Sequence, residues 1–182
     1  MRRVVVALVH HPVLDRGGAI VTSAITNIDL HDIARSSHTF GATDFFVVHP
    51  VAAQRELAER VREHWTAGSG ARRIPDRVPA LSLLRMVSSL DEVVEDLKPE
   101  VWVTSAVARG RVLDYPAARG RLTEPGAPVL LVFGTGWGLA GSVLEAATHQ
   151  LAPIVSPRAD AYNHLSVRAA VAITLDRLLA PA

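Results

Sequence analysis

The sequence predicts an α/β fold, a mainly parallel sheet flanked by helices. Three observations carry that expectation. Short apolar, β-branched runs without alternation recur at Arg3–Val9, Asp44–His49, Leu81–Val87, Val101–Thr104 and Val129–Phe133, as expected of strands buried on both faces. Between them lie stretches with apolar residues at helical spacing. A hydrophobic fraction of 49% over 182 residues is ample for one large core.

Composition sets further bounds. We expect one domain, residues 1–182, with no linker or internal repeat. No apolar run reaches the length of a membrane span, and the start, MRRVVVALVHHPV, is interrupted by two histidines and Pro12 before a signal peptide could form. It reads as the first strand of a soluble protein. The absence of cysteine fits a cytoplasmic location and excludes disulfides and thiolate metal sites. Of the 19 basic residues only Lys98 is lysine. A GC-rich coding sequence gives that bias without meaning; arginine's planar fork also suits phosphate.

In order, Arg3–Val9 ends at His10-His11-Pro12, and Asp15–Gly18 is a turn. A helix is expected over Asp29–Phe40, capped by Asn27 or Asp29 and stopped by Gly41. Asp44–His49 is closed by Pro50, and Val51–Trp65 is helical. Thr66–Ala80, with its Gly, Ser, Pro and arginines, reads as a surface loop. After the Leu81–Val87 strand, Ser88-Ser89 with Asp91-Glu92 starts a helix that runs to Leu97. Val101–Thr104 follows, then a short helix over Tyr115–Arg121. Val129–Phe133 leads into a helix beginning near Leu139, with a last short strand at His149–Leu151. A proline-bearing loop, Ala152–Asp160, precedes a helix over His164–Leu179.

The densest local signal is GTGWGLAG, residues 134–141. Glycines after a buried strand let backbone amides approach a ligand closely. The spacing matches neither the dinucleotide nor the phosphate-loop fingerprint. A strand-to-helix turn that needs small residues for packing explains it equally well. In an α/β sheet, ligands bind at the carboxyl ends of strands. That puts Thr104–Ala106, Gly134–Leu139 and the loop near Pro153 on one rim. The histidines lack the i, i+4 spacing of a zinc helix, so no metal is expected.

FGTGWGL at 133–139, LAPI at 151–154 and YNHLSVRAAVAI at 162–173, in this order, resemble the SPOUT superfamily of RNA methyltransferases. Asp29, Arg35 and Phe40-Gly41 echo the first motif of its SpoU branch. The resemblance covers nearly the whole chain, most closely a small single-domain bacterial group. It implies a C-terminal trefoil knot, S-adenosylmethionine as cofactor, an RNA substrate (tRNA or rRNA), and a homodimer formed through the C-terminal helix. That helix carries an apolar stripe of Leu165, Ala169, Ala172, Leu175 and Leu179, widened by Val167, Val171 and Leu178.

The resemblance nominates Thr104, Ser105, Gly134, Thr135, Gly136, Trp137, Gly138, Leu139, Ile154, Asn163, His164, Leu165 and Ser166 as cofactor-binding residues. Arg35, with His164 or Ser166 assisting, is the catalytic candidate. Arg35 also reads as a solvated or phosphate-contacting arginine, Trp137 as a rim residue against a partner, and Asn163 as a helix cap. Arg72, Arg73 and Arg77 are candidates to reach RNA. Two departures stand out. The Glu usual in the second-motif loop is absent, and Asp29 occupies the first-motif Asn position. Arg3 already opens the first strand, so no N-terminal RNA-binding domain is expected. A catalytically silent dimer that binds RNA or S-adenosylmethionine, and a nucleotide-binding enzyme using the glycine loop for phosphates, are the competing readings.

Overall fold

The computed structural model describes residues 1–160 and 162–181. The chain forms β1 (Val4–Val9), a hairpin of β2 (Val13–Leu14) and β3 (Ile20–Val21), α1 (Asn27–Thr39), β4 (Phe45–Val48) and α2 (Ala52–Thr66). Short α3 (Ser69–Arg73), a 3-10 turn (Pro75–Arg77) and α4 (Val78–Leu81) lead to β5 (Leu84–Val87), α5 (Leu90–Leu97) and β6 (Glu100–Val103). Then come α6 (Tyr115–Thr123), β7 (Val129–Gly134), α7 (Gly141–Glu145), β8 (His149–Gln150) and α8 (Val167–Leu179).

Six strands pair in the order β5-β4-β1-β7-β6-β8, and every neighbouring pair is parallel. The pleat sorts the core. Val4, Val6 and Leu8 of β1 face α1, α2, α4, α6 and α8 together with Phe45, Leu131 and Trp102. Val5, Ala7 and Val9 face α5 and α7 with Leu130, Val132 and Val93. Both faces of the central strands are therefore dry, which is why their sequences show no alternation.

The chain leaves β1 toward β4 and β5 on one side, and β6 and β8 lie on the other. The crevice at such a reversal lies at the carboxyl ends of the strands. Here those ends are His10, His49, Thr104, Gly134 and Leu151.

Several boundaries differ from the sequence reading. The cap of α1 is Thr26, whose hydroxyl accepts from the Asp29 amide at 3.3 Å and donates to Asp29 Oδ2 at 2.5 Å. Asp29 is thus the acidic partner three residues on, not the cap. Thr66–Ala80 is no loop. Three short helical turns pass through it, and Gly70 and Ala80 within it are buried. Glycine is needed at position 70 because a Cβ there would meet the Trp65 ring at 2.8 Å.

Leu81 belongs to α4, so β5 starts at Leu84. The helix after the glycine loop starts at Gly141, and α8 starts at Val167 with Ser166 as its cap. Leu165 therefore lies before α8. The buried face of α8 is Val171, Thr174, Leu175 and Leu178, centred on the widened part of the expected apolar face. The hairpin was not expected at all.

Candidate functional site

Three segments converge at the rim: the glycine loop after β7, the segment before α8, and the first turns of α1. The loop is held by backbone bonds from four of its amides. Thr135 N donates to Val9 O (3.2 Å), Trp137 N to Leu14 O (2.9 Å), Gly138 N to Thr135 O (3.1 Å) and Ala140 N to Pro12 O (3.1 Å). The amides of Gly136 and Leu139 donate to nothing among the described residues. Gly134 keeps that space open, since a Cβ on it would sit 2.8 Å from the Leu139 nitrogen. Gly136, at φ 60°, lies where a Cβ would meet Leu14 O at 2.8 Å. Small residues are required here for the close approach of backbone to backbone.

The segment before α8 meets this loop. The His164 ring lies edge-on to Trp137 at 6.0 Å and beside Tyr162 at 6.4 Å. Asn163 Nδ2 donates to Ile154 O at 3.0 Å, which ties the two ends of the 154–163 excursion together. Trp137, Tyr162 and Leu165 are all exposed large hydrophobic side chains. Asn163 does not cap α8; the Ser166 hydroxyl does, accepting from Ala169 N.

Other nominated side chains are turned inward. The Thr104 hydroxyl donates to Val132 O at 3.0 Å, and Ser105 Oγ accepts from Val107 N at 3.2 Å. The Thr135 hydroxyl donates to Val9 O at 3.1 Å and bonds the Ser23 hydroxyl. The hydroxyl protons of Thr104 and Thr135 are thus spent on carbonyls, while the Ser105 hydroxyl, which only accepts, keeps its proton for a ligand.

Arg35 and Ser166 line an open groove of about 500 Å³ between α1 and α8, with Asp32, Phe40, Arg168 and Ala172. Arg35 is more than half exposed, and its nearest carboxylate is Asp32 at 3.9 Å. An exposed pair at that distance is worth little, so Arg35 is available to an incoming group.

Arg168 is a residue the sequence reading passed over. It donates to the buried Asp29 carboxylate at 2.7 Å and lies 3.6 Å from Asp32. It thereby joins α1 to α8. A polar residue in an alanine-rich stretch was the signal available. Replacing Arg168 with Met strands a carboxylate whose side chain is 9% exposed. We expect a stability loss of about 2 kcal/mol, below the usual cost of a broken buried pair because Arg168 is partly solvated. Urea unfolding of R168M against the double variant D29N/R168M checks this: the double variant recovers most of the loss if the stranded charge is its cause.

The central arginines divide. The Arg77 guanidinium stacks on Trp65 at 4.7 Å, whereas Arg72 and Arg73 are exposed. Among the described residues no group of three or more histidines and carboxylates has the geometry to hold a metal.

A family model described as SAM-dependent RNA methyltransferase matches residues 3–180. The chain belongs to this family. A tRNA (guanine-N(1)-)-methyltransferase of Oleidesulfovibrio alaskensis is 43% identical over 187 residues, covering 100% of this chain and 43% of the relative. The chain thus spans less than half the length of that relative. The crystal structure of TrmJ from Z. mobilis superposes with a TM-score of 0.64 at 19% identity, covering 100% of this chain and 70% of that one. The TrmH/SpoU tRNA modifying enzyme of A. aeolicus gives 0.60 at 13%, covering 98% and 75%. The fold is accordingly that of the SPOUT methyltransferases. The family's methyl donor is S-adenosylmethionine, and the loop fits it: two unspent amides, a space only glycine leaves open, and aromatic side chains at the mouth.

Proposed function

We propose that this chain transfers a methyl group from S-adenosylmethionine to a base or ribose atom of RNA, with tRNA the first substrate to test. The observation that carries the reading is the meeting of the glycine loop with the segment before α8, through Trp137 and His164. The amides of Gly136 and Leu139, the backbone at Thr104, Ser105, Thr135, Gly138 and Ile154, and the Asn163–Ser166 segment would hold the cofactor. Bound there, it supplies an electrophilic methyl group on a sulfonium.

The protein's own part is to bind, orient and stabilise charge. Arg35, loosely held and facing the groove, would steady the charge developing on the acceptor, with His164 or Ser166 assisting. Trp137 and Tyr162 would exclude water from the mouth. Arg72 and Arg73 would engage phosphates. Residues 1–182 act as one domain, and the chain after β8 is knotted beside the glycine loop. The dimer forms through α8, whose Ala169, Ala172 and Ile173 are only partly covered by this chain. No described helix is long and apolar enough to cross a membrane, and the proposed RNA substrate puts the work in the cytoplasm.

Calorimetry with S-adenosylhomocysteine, NAD and ATP tests the cofactor. Binding of NAD or ATP without S-adenosylhomocysteine would overturn the reading. Transfer of tritiated methyl to RNA from a strain lacking the gene tests the reaction. Arg35→Ala should lower transfer about 100-fold with S-adenosylhomocysteine affinity unchanged; a wild-type rate would remove Arg35 from catalysis. One observation favours a second reading, a silent dimer: Thr135 stands in the loop where the SpoU resemblance implies an acid, and its hydroxyl is spent on Val9 O. No incorporation at saturating cofactor would select it.

A further inference from the structure

We propose that the β2–β3 hairpin is a latch that holds the glycine loop in its binding shape, with Ser23 and Thr135 as positioning residues. This rests on the cofactor reading above. The hairpin leaves the sheet at His10, crosses the rim and returns at Ser23. Its tip is rigid, because Asp15 Oδ1 accepts from the amides of Gly17 (2.8 Å) and Ala19 (2.9 Å). Its base is anchored by Val13, fully buried against Leu139 and Val143.

Between these ends the hairpin pairs with the glycine loop as a strand would. Leu14 N donates to Gly138 O (2.9 Å), Trp137 N to Leu14 O (2.9 Å) and Ala140 N to Pro12 O (3.1 Å). Of the amides from Thr135 to Ala140, the hairpin takes two, β1 takes one and the loop itself takes one. Gly136 and Leu139 are what remains. The hairpin therefore decides which amides a ligand finds and where they point.

A side-chain chain locks the same joint. The proton on the Thr135 hydroxyl goes to Val9 O, since a carbonyl can only accept. The Ser23 hydroxyl must then donate to Thr135 Oγ1, and His10 Nδ1–H donates to Ser23 Oγ at 2.9 Å. Each group in this series has one assignment. His10 is fully buried and its Nε2 has no hydrogen-bond partner among the described residues, so the Ser23 bond is its one tie through the ring. Removing the Ser23 hydroxyl cuts the side-chain tie between Thr135 and the hairpin's return strand, leaving the backbone bonds at Leu14 and Pro12 to hold the joint.

Hydrogen exchange on the protein without any ligand tests the latch itself. Ser23→Ala and Thr135→Val should each speed exchange of the 135–140 amides about tenfold, with β1 and β7 unchanged. Thr135→Ser, which keeps the hydroxyl, should restore wild-type protection. Equal protection in all four proteins overturns the latch, whatever the loop binds. Calorimetry with S-adenosylhomocysteine tests its purpose. The Kd should rise about threefold to tenfold in S23A and T135V and return in T135S. Unchanged Kd values despite faster exchange overturn the positioning role. Failure of the wild-type protein to bind sinks the cofactor reading, and the exchange result still judges the latch.

Discussion

Between pH 7 and pH 4 the folded protein is expected to lose about 3 kcal/mol of stability through His10 alone. His10 is fully buried at the end of β1. Burial first, then the neighbouring His49, pushes its pKa down to about 4, and Asp29 and the backbone of Ser23 only partly oppose them. In the unfolded chain it titrates near 6.5. Between those values the unfolded state binds the proton and the native state does not. Stability is therefore fully present above about pH 6.5 and falls as pH drops toward 4.

The neighbouring His49 shifts in the same direction, by burial first. Its Nε2 donates to Ser23 O at 3.0 Å and its Nδ1 accepts from Val51 N at 3.1 Å, which fixes it as the neutral ring. Its contribution has the same sign. Urea unfolding at pH 4.5, 5.5 and 7 should show a clear slope for the wild type and a flatter one for His10→Asn, whose amide can still donate to Ser23. Equal slopes for the two proteins would show that His10 does not drive the acid sensitivity.

What the sequence displayed depended on how far apart the interacting residues are. Strands such as Val4–Val9 and Val129–Gly134 were legible because burial on both faces writes itself into consecutive residues. The glycine loop and the segment 162–166 were legible as motifs, and the structure brings Trp137 and His164 together. The hairpin was not, because strands of two residues carry no period. The helical turns at 69–81 were hidden by Gly70, Pro75 and Pro79, which read as a loop until Trp65 is seen to need the space at Gly70.

Pairings across the chain left no local trace. Arg168 with Asp29 and Ser23 with Thr135 are separated by 139 and 112 residues. The cap of α1, by contrast, is written locally: Thr26 followed by Asp29 is a capping-box spacing with Asp as the acid.

The largest effect at the site is expected from one methyl group. Gly134→Ala should weaken S-adenosylhomocysteine binding more than tenfold and cost about 2 kcal/mol of stability. The new Cβ would lie 2.8 Å from Leu139 N, 2.9 Å from its Cγ and 3.0 Å from its Cδ2. Leu139 cannot yield. Its side chain is 3% exposed within the β7–α7 core, and the hairpin grips the backbone on either side of it. Strand β7 cannot yield either, because Gly134 is in register with Val9 of β1. The strain therefore falls on the loop, and the amide it displaces or covers is one of the two left for a ligand.

Gly120→Ala supplies the contrast. It sits inside α6 with nothing within 4 Å of the new Cβ. The same substitution there should raise stability by a few tenths of a kcal/mol or more and leave binding unchanged. Thermal unfolding and calorimetry on the pair decide the matter. If Gly134→Ala binds like the wild type, the space beside Leu139 is packing alone, and the cofactor must be held elsewhere on the rim.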